Sequence, residues 1–363
     1  MLQMTRGPAA AETINATERA AALAEKSGNL TKLVDWVSKK WGTAFVSGDL
    51  PAAATLENQA LEIARREGST TSQGRVYARQ IPTRYVRGDL VGAEEQFRTG
   101  LKFFNDPVFK QDPGYAVATF GWASWNAWTL GRADTARERM GQMLAAANAE
   151  NPYDVAFADT FAALLEVCMR GYEKAEASAA RALELSQKYQ FPYLVAVSQC
   201  ILGQARAQLG RASEGVGLIR QGIAGMLEVG SRVSVSNLRL AEAQERAGTL
   251  DDALETVEHA LRTTSEELVH RPETLKLRGE LQLKQGHSEP AEADFREAIV
   301  LAQKMSARVW ELRATMSLAR LLAEQGRRDE ARVMLADIYS WFTEGFDTRD
   351  LKDAKALLEE LSA

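Results

Sequence analysis

The sequence has 363 residues, and 44 Lys and Arg against 49 Asp and Glu give a net charge of −5, which argues against duplex nucleic acid as the main partner because phosphate binding needs a basic face. Two cysteines are too few for the disulfide framework of a secreted protein, and no window approaches the roughly 18 uninterrupted apolar residues of a membrane span. We therefore expect a cytoplasmic chain whose partners include neither nucleic acid nor a membrane.

A short segment precedes the first predicted helix. Residues 1–9 lack the apolar region of a signal peptide, and we expect them to be disordered or tag-like. The stretch AAETINATERAAALAEKSG, residues 10–28, is rich in strong helix formers. It predicts the second helix of a pair whose first helix is absent.

Eight turn segments follow at intervals of 38 to 43 residues, and the predicted array occupies residues 10–344. The turns centre on Gly48, Gly88, Gly131, Arg170, Gly210, Gly248, Gly286 and Gly326. Glycine ends a helix in the left-handed conformation at little cost, so each turn predicts one helix end and the start of an antiparallel partner. A fixed period of about 40 residues is typical of a solenoid.

Small residues recur at fixed distances from these turns. The positions five residues after the turn residue are Ala53, Ala93, Ala136, Ala175, Gly215, Ala253, Ala291 and Ala331. Six of the eight positions seven residues before it are also small. Small residues allow two helices to approach closely where they cross, so both sets predict helix–helix contacts.

This spacing resembles the tetratricopeptide repeat, which has small residues at three fixed positions and a large apolar residue between two of them. The segment TLKLRGELQLKQGHSEPAEADFREAIVLAQK, residues 274–304, fits best, with Gly279, Gly286, Ala291, Phe295 and Ala298 in register. The resemblance implies an all-α right-handed superhelix, an α-solenoid of about eight antiparallel helix pairs, with a leading helix and a C-terminal capping helix. HEAT and armadillo repeats share the 40-residue length but lack this small-residue pattern.

Residues 345–363 predict a turn and a capping helix. The turn is placed at Gly345 and Phe346, with Asp347 or Thr348 as the N-cap and Asp350 in the first helical turn. A solenoid needs a terminal element that covers its last apolar face, and this helix suits that task.

A narrower resemblance covers Trp341 to Lys355, W-F-T-E-G-F-D-T-x-D-L-K-x-A-K. It is similar to the C-terminal end of bacterial signalling proteins in which a class III cyclase or transcription-regulator domain precedes a STAND-type ATPase and a tetratricopeptide-like array. The cyclase metal aspartates and the ATPase phosphate loop have no counterpart here, so neither activity carries over. A missing half-repeat with a complete cap favours a fragment or a domain-only homologue.

No catalytic motif stands out in the sequence. It contains no G-x-x-x-x-G-K-[ST], H-E-x-x-H or G-x-S-x-G segment. Its three histidines, His259, His270 and His287, have no metal-ligand spacing. We therefore expect no enzymatic activity, no cofactor and no metal.

The tetratricopeptide resemblance implies that the first helix of each pair lines a concave groove. The partner-binding residues predicted on this basis are Tyr85, Trp125, Trp128, Phe157, Gln204, Glu242, Arg246, Lys276, Glu280, Arg313 and Arg320. The groove is thus expected to be aromatic in its N-terminal half and charged in its C-terminal half. Trp122, Trp125 and Trp128 recur every three residues, and the alternative is that they pack against neighbouring helices.

These features together predict a non-catalytic protein-interaction or sensing scaffold. The expected partner is a protein or a peptide, including other domains of the same parent protein, bound in the concave groove. The alternatives are a receptor domain for a small ligand, a peptide or a sugar, and an oligomerisation or spacer arm.

Overall fold

The computed structural model describes residues 11–106, 109, 113–263 and 266–362, and within these ranges it contains eighteen α-helices and no β-strand. They are α1 (Ala11–Lys26), α2 (Leu30–Ser47), α3 (Leu50–Glu67), α4 (Thr70–Val86), α5 (Leu90–Phe104), α6 (Pro113–Thr129), α7 (Ala133–Ala146), α8 (Pro152–Cys168), α9 (Tyr172–Lys188), α10 (Pro192–Gln208), α11 (Ala212–Glu228), α12 (Ser234–Arg246), α13 (Leu250–Thr263), α14 (Arg271–Lys284), α15 (Ser288–Met305), α16 (Arg308–Glu324), α17 (Arg328–Ser340) and α18 (Arg349–Ser362). Helix α1 leads, α2 to α17 form eight pairs, and α18 follows, so the predicted all-α solenoid is confirmed. Residues 1–9, predicted to be disordered or tag-like, lie outside the described residues.

Every first helix of a pair is followed by a residue in the left-handed backbone conformation. The eight residues identified by the 40-residue spacing have φ between 63° and 90°, and seven of them are glycine. Arg170 adopts the same conformation with φ 63°. The next helix begins at once: the carboxylates of Asp49 and Asp89 accept the N–H of Ala52 and Gly92 at 3.1 and 2.9 Å and so act as N-caps.

Small residues occupy the helix crossings within the pairs. The predicted alanines at this register are fully buried: Ala53, Ala93, Ala136, Ala175, Ala253, Ala291 and Ala331. Where α10 crosses α11, a Cβ on Gly203 would lie 2.6 Å from the carbonyl oxygen of Gly215. Where α14 crosses α15, a Cβ on Gly279 would lie 2.6 Å from the ring of Phe295. The small positions therefore set the distance between paired helices, and large neighbours fill the remaining space.

The second turn of the superhelix rests directly on the first. The backbone N–H of Arg232, after α11, donates to the carbonyl of Val46 at 2.9 Å, and its guanidinium donates to the carbonyl of Phe45, 187 residues away. Leu268 and Val269, before α14, donate their N–H groups to the carbonyl of Val86 at 3.0 and 3.2 Å. We call this set of contacts between successive turns the inter-turn seam.

The C-terminal segment completes the inter-turn seam. The carboxylate of Glu344 accepts the backbone N–H groups of Asp134 and Thr135 at 3.0 and 3.1 Å, and it caps α7, whose own N-cap residue makes no side-chain bond. Arg170 donates to the carboxylate of Asp353 on α18 at 2.6 Å. Helix α18 buries an apolar face formed by Leu351, Ala354, Leu357 and Leu361. The last pair is thereby covered, as a solenoid requires.

The described ranges contain neither a membrane span nor a metal cluster. No helix there is both long enough and apolar enough to pass through a lipid bilayer. No three His, Cys, Asp or Glu side chains among the same residues are grouped so that they could hold a metal ion.

Candidate functional site

The first helices of the pairs enclose a cavity of about 360 Å³ inside the superhelix. Its walls come from α2, α4, α6, α8, α10 and α12, together with Met226 of α11 and the loops around Arg232 and His270. Phe45 and Val86 belong both to this wall and to the inter-turn seam. The contact between turns therefore narrows the concave surface from a groove to a chamber, which we call the central cavity.

Aromatic side chains form most of the apolar wall of the central cavity. They are Trp41, Phe45, Tyr85, Trp122, Trp125, Tyr153, Phe157, Phe161, Phe191 and Tyr193. Trp41 stacks on Phe45 with ring centroids 5.0 Å apart, and Phe45 meets Trp122 edge to face at 5.7 Å. Trp122 contacts Trp125 at 4.8 Å, and Trp125 stacks on Phe161 at 4.6 Å. These five rings contact one another in series, so this part of the wall is preorganised for an apolar or planar ligand.

Hydrogen bonds fix two of the indoles in this aromatic series. The Nε1–H of Trp41 donates to Glu57 at 2.7 Å and to the hydroxyl of Thr83 at 3.1 Å. The Nε1–H of Trp125 donates to the carbonyl of Phe161 at 3.3 Å. Burial raises the pKa of Glu57 to about 7, against the opposing effect of the bonds from Thr83 and Trp41. The group that holds Trp41 therefore titrates near neutral pH.

Four cationic side chains line the central cavity against a single carboxylate. The guanidinium of Arg232 lies 3.4 Å from the carboxylate of Glu267, so these two charges compensate each other. The guanidinium of Arg79 lies 4.8 Å from the ring centroid of Trp41. Burial lowers the pKa of the Lys39 ammonium; the nearby carboxylate of Asp35 opposes this effect, and the charge of Arg79 adds to it. With Arg239, the described wall has a net positive charge.

Arg239 is the most buried of these cations. Its side chain on α12 is 9% exposed, and its Nε–H donates to the amide oxygen of Gln204 at 2.9 Å. Among the described residues no Asp or Glu oxygen lies within 4.0 Å of its guanidinium, and its two terminal nitrogens make no hydrogen bond. Burial lowers the pKa of Arg239, but a guanidinium stays charged at neutral pH. The charged guanidinium of Arg239 is thus held at the wall of an aromatic cavity.

The imidazole of His270 and the thiol of Cys168, both in the cavity wall, are held neutral. Burial, with a smaller contribution from Arg239 and Arg232, lowers the pKa of His270 to about 3. Burial raises the pKa of the Cys168 thiol to about 11. An uncharged imidazole and a protonated thiol suit a binding wall better than a catalytic pair.

The predicted aromatic residues divide between the cavity and the packed interior. Those that line the central cavity are Tyr85, Trp125 and Phe157. The structure corrects the prediction for Trp128, which is 2% exposed and meets Trp310 edge to face at 4.8 Å across the inter-turn seam. Because α6 ends where the second turn of the superhelix rests on it, this indole contacts α16 instead of the ligand space.

Arg313 also departs from its predicted role. It forms two hydrogen bonds with the carboxylate of Asp350 at 3.0 and 2.8 Å and donates to the carbonyl of Cys168 at 2.7 Å. Glu273 lies 3.4 Å from the same guanidinium. Arg313 was predicted to bind a partner, but its guanidinium is occupied by carboxylates that the chain itself supplies.

The other predicted charged residues lie outside the lining of the central cavity. Lys276 pairs with Glu280 at 3.1 Å one helical turn away. Gln204 donates to Glu242 at 2.6 Å, and burial together with the nearby Glu273 raises the pKa of Glu242 to about 7. The remaining two, on α12 and α16, are exposed: Arg246 and Arg320. Their role in binding a partner remains a prediction.

Sequence reasoning missed several residues of the cavity wall. Among the overlooked aromatic residues, Tyr153, Phe191 and Tyr193 lie at the starts of α8 and α10. The overlooked cations are Lys39, Arg79 and Arg239, which stand nine residues before Gly48, Gly88 and Gly248. Trp122 and Phe161 occupy the same register in the third and fourth pairs. A search of the first helices at this spacing would have found these five positions.

No protein-family model matches the sequence, and no curated protein sequence matches it. Among solved structures the chain is similar to the APC/C hetero-tetramer Cut9-Hcn1, with a TM-score of 0.57 and 14% identity over 95% of this chain and 59% of that chain. It is also similar to a Rap protein complexed with competence and sporulation factor, with a TM-score of 0.57 and 11% identity over 91% of this chain and 97% of that chain.

The chain therefore spans less than two thirds of the length of the Cut9-Hcn1 chain that it matches. At identities of 14% and 11% the likeness shows the fold alone. That fold is an array of tetratricopeptide-type helix pairs, so the fold that the repeat pattern implied is confirmed.

Proposed function

We propose that the chain is a non-catalytic binding module that holds a small ligand or a short peptide segment in the central cavity. One observation supports this proposal: the superhelix forms an aromatic chamber of about 360 Å³, and small-molecule sites typically measure ~300–1,000 Å³. Five of the rings that line it contact one another in series, so a ligand would meet a surface that is already ordered.

The size of the chamber favours a small ligand over a folded partner in this position. A stable protein–protein interface buries about 800 Å² on each partner, and a cavity of this volume cannot present such a surface. The Rap protein of similar fold was solved in complex with competence and sporulation factor, which supports ligand capture by an array of this kind. A protein partner would then contact the outside of the superhelix.

We further propose that the module is the regulatory array of a bacterial signalling protein. The resemblance of Trp341–Lys355 to the C-terminal end of STAND-type regulators supports this part of the proposal. The protein partner would be another domain of the same parent protein or a separate chain. Occupancy of the cavity would be transmitted through the inter-turn seam, since wall residues and seam residues are shared.

A neutral fluorescent probe tests the central cavity. N-phenyl-1-naphthylamine becomes strongly fluorescent in an apolar site, and we expect the full chain to bind it with saturation at one site. The variant Ala118→Trp would fill the cavity, because Ala118 on α6 belongs to its wall. We expect this variant to keep its helical circular dichroism spectrum and to lose probe binding.

The matched control is Ala145→Trp, which introduces the same indole on the exposed face of α7. This control should bind the probe as the unmodified chain does. Binding that survives in the folded Ala118→Trp variant would locate the probe elsewhere and contradict the proposal. Absence of saturable binding to the unmodified chain would contradict it as well.

A further inference from the structure

We infer that the ligand of the central cavity is a small organic anion, a carboxylate or an equivalent acidic group on an aromatic or otherwise apolar body. The inference rests on the proposed function and adds the chemical class of the ligand. Its basis is the pairing of an aromatic wall with cations that the described part of the chain leaves uncompensated.

Arg239 provides the strongest observation. Its Nε–H is already bonded to Gln204 at 2.9 Å, which fixes the orientation of the guanidinium plane. The terminal nitrogens have no acceptor within the described ranges, although the side chain is 9% exposed. A buried charge without a counter-ion is unfavourable, so an anion that reaches the two terminal nitrogens would gain both charge compensation and a bidentate hydrogen bond.

No carboxylate among the described residues lies within 4.0 Å of this guanidinium, although the charge of Glu242 acts on it from further away. Glu242, one turn further along α12, accepts from the amide of Gln204 at 2.6 Å. Glu267 is the only carboxylate of the described wall, and it lies 3.4 Å from Arg232. The buried imidazole of His270 stays neutral because its pKa is low. The guanidinium of Arg239 is therefore available to a ligand.

A second cation strengthens the same assignment. Arg79 stacks over Trp41 at 4.8 Å and donates to the hydroxyl of Tyr115, while its Nε is buried without a partner. No carboxylate among the described residues lies within 4.0 Å of its guanidinium. Arg79 and Arg239 occupy the same register of the second and sixth pairs, so the superhelix directs both toward its interior.

The apolar wall determines the other half of the ligand. The same wall carries the contacting rings of Trp41, Phe45, Trp122 and Trp125, with centroid separations of 4.8 to 5.7 Å. A planar body can stack on such rings, whereas a strongly hydrated anion such as inorganic phosphate would leave them uncovered. The cations together with the aromatic wall therefore favour an acid with an apolar body.

Two probes that differ only in a sulfonate group test this inference. The first is 8-anilinonaphthalene-1-sulfonate, and the second is N-phenyl-1-naphthylamine, which has the same ring system without the sulfonate. Fluorescence titration of the full chain should give tighter binding of the sulfonate, by roughly tenfold or more, because a charge-assisted bidentate bond is added. Arg239→Gln should remove this advantage and leave binding of the neutral probe within about twofold.

Two further variants separate charge from structural effects. Arg239→Lys should keep part of the preference for the sulfonate, since the charge remains while the fork is lost. Arg220→Gln, an exposed position on α11, should leave both probes unaffected. Displacement of the sulfonate by 1-naphthoate or by acetyl-tryptophanyl-phenylalanine then distinguishes a free aromatic acid from a peptide carboxyl terminus as the source of the anion.

The possible outcomes separate the two proposals. If neither probe binds at one site, the central cavity is not a ligand site and both proposals are wrong. If the neutral probe binds as tightly as the sulfonate, or if Arg239→Gln weakens both probes equally, the cavity remains a ligand site but the anionic ligand class is wrong. A loss confined to the sulfonate supports the inference.

Discussion

Replacement of Glu57 by Gln should stabilise the protein at alkaline pH and leave it almost unchanged in acid. The carboxyl group of Glu57 is 6% exposed and accepts the indole N–H of Trp41 at 2.7 Å. Burial raises its pKa from an ordinary value of 4.5 to about 7 in the folded protein. The folded state therefore binds this proton more tightly than the unfolded state does.

The sign and size of the effect follow from proton linkage. A tenfold difference in proton affinity corresponds to about 1.4 kcal/mol, so the change from 4.5 to about 7 corresponds to roughly 3 kcal/mol. The stability that protonation provides is complete below pH 4.5 and is lost as the pH rises to about 7. The Glu57→Gln variant would avoid this loss because an amide carries no charge, and the amide oxygen can still accept the bond from Trp41.

Urea unfolding followed by circular dichroism measures this difference at several pH values. The free energy of unfolding of Glu57→Gln should exceed that of the unmodified chain by roughly 3 kcal/mol at about pH 8, and the two should converge toward about pH 4. Glu62→Gln, on the exposed face of the same helix, is the matched control and should show no such trend. A difference that does not vary with pH, or a less stable Glu57→Gln variant at pH 8, would refute the reasoning.

Four further outcomes are expected. Ala253→Leu should lower the free energy of unfolding by about 1–3 kcal/mol because the site is fully buried at a helix crossing, and an unchanged urea midpoint would contradict that packing. Trp128→Ala should lower the free energy of unfolding by about 3–5 kcal/mol, while the central cavity still binds the neutral probe. Loss of probe binding without loss of stability would show instead that this indole contacts the ligand. Arg313→Met should lower the free energy of unfolding by about 3–5 kcal/mol because the buried carboxylates of Glu273 and Asp350 lose their counter-ion. An unchanged free energy of unfolding would show that these carboxylates find other partners. Thiol titration of the denatured, unreduced protein should count two free thiols, and fewer than two would reveal a disulfide. In the native protein the thiol of Cys168 should react slowly because burial raises its pKa to about 11.

The helix pairs were predictable because their determinants are local and repeated. A left-handed turn residue and a small residue five positions later fix one helix end and one crossing, and both recur in all eight pairs. Arg170 shows the strength of the pattern, since it adopts φ 63° where the other pairs have glycine. Its place was found from the spacing of its neighbours and not from its own residue type.

The central cavity was predictable only in part because it depends on contacts between distant segments. The register of the first helices placed Tyr85, Trp125 and Phe157 on the concave side. Whether the concave side forms an open groove or a closed cavity depends on the small rotation of each helix pair relative to the one before it, because these rotations add up along the array. The bond from Arg232 to Phe45 spans 187 residues, and no local pattern announces it. The same accumulated rotation brings Trp310 against Trp128, so the indole of Trp128 is buried.

The segment Trp341–Lys355 illustrates how such long-range contacts restrict a sequence. Trp341 lies against Gly131, where a Cβ would come within 2.7 Å of its ring, and Gly345 approaches Ala133 equally closely with φ 75°. Glu344 satisfies two N–H groups of α7 that have no helical partner. These residues thus hold the C-terminal end of the array against the third helix pair.

The architecture of the seam therefore accounts for this segment without any catalytic role. It also joins the cap to the ligand space, because the carbonyl of Cys168, a residue of the cavity wall, accepts from Arg313 at 2.7 Å while the same guanidinium holds Asp350 of α18 at 2.8 Å. One side chain connects the wall to the terminal helix. A ligand that shifts the end of α8 must change these bonds, so the cap is where we expect the occupied and empty states of the cavity to differ.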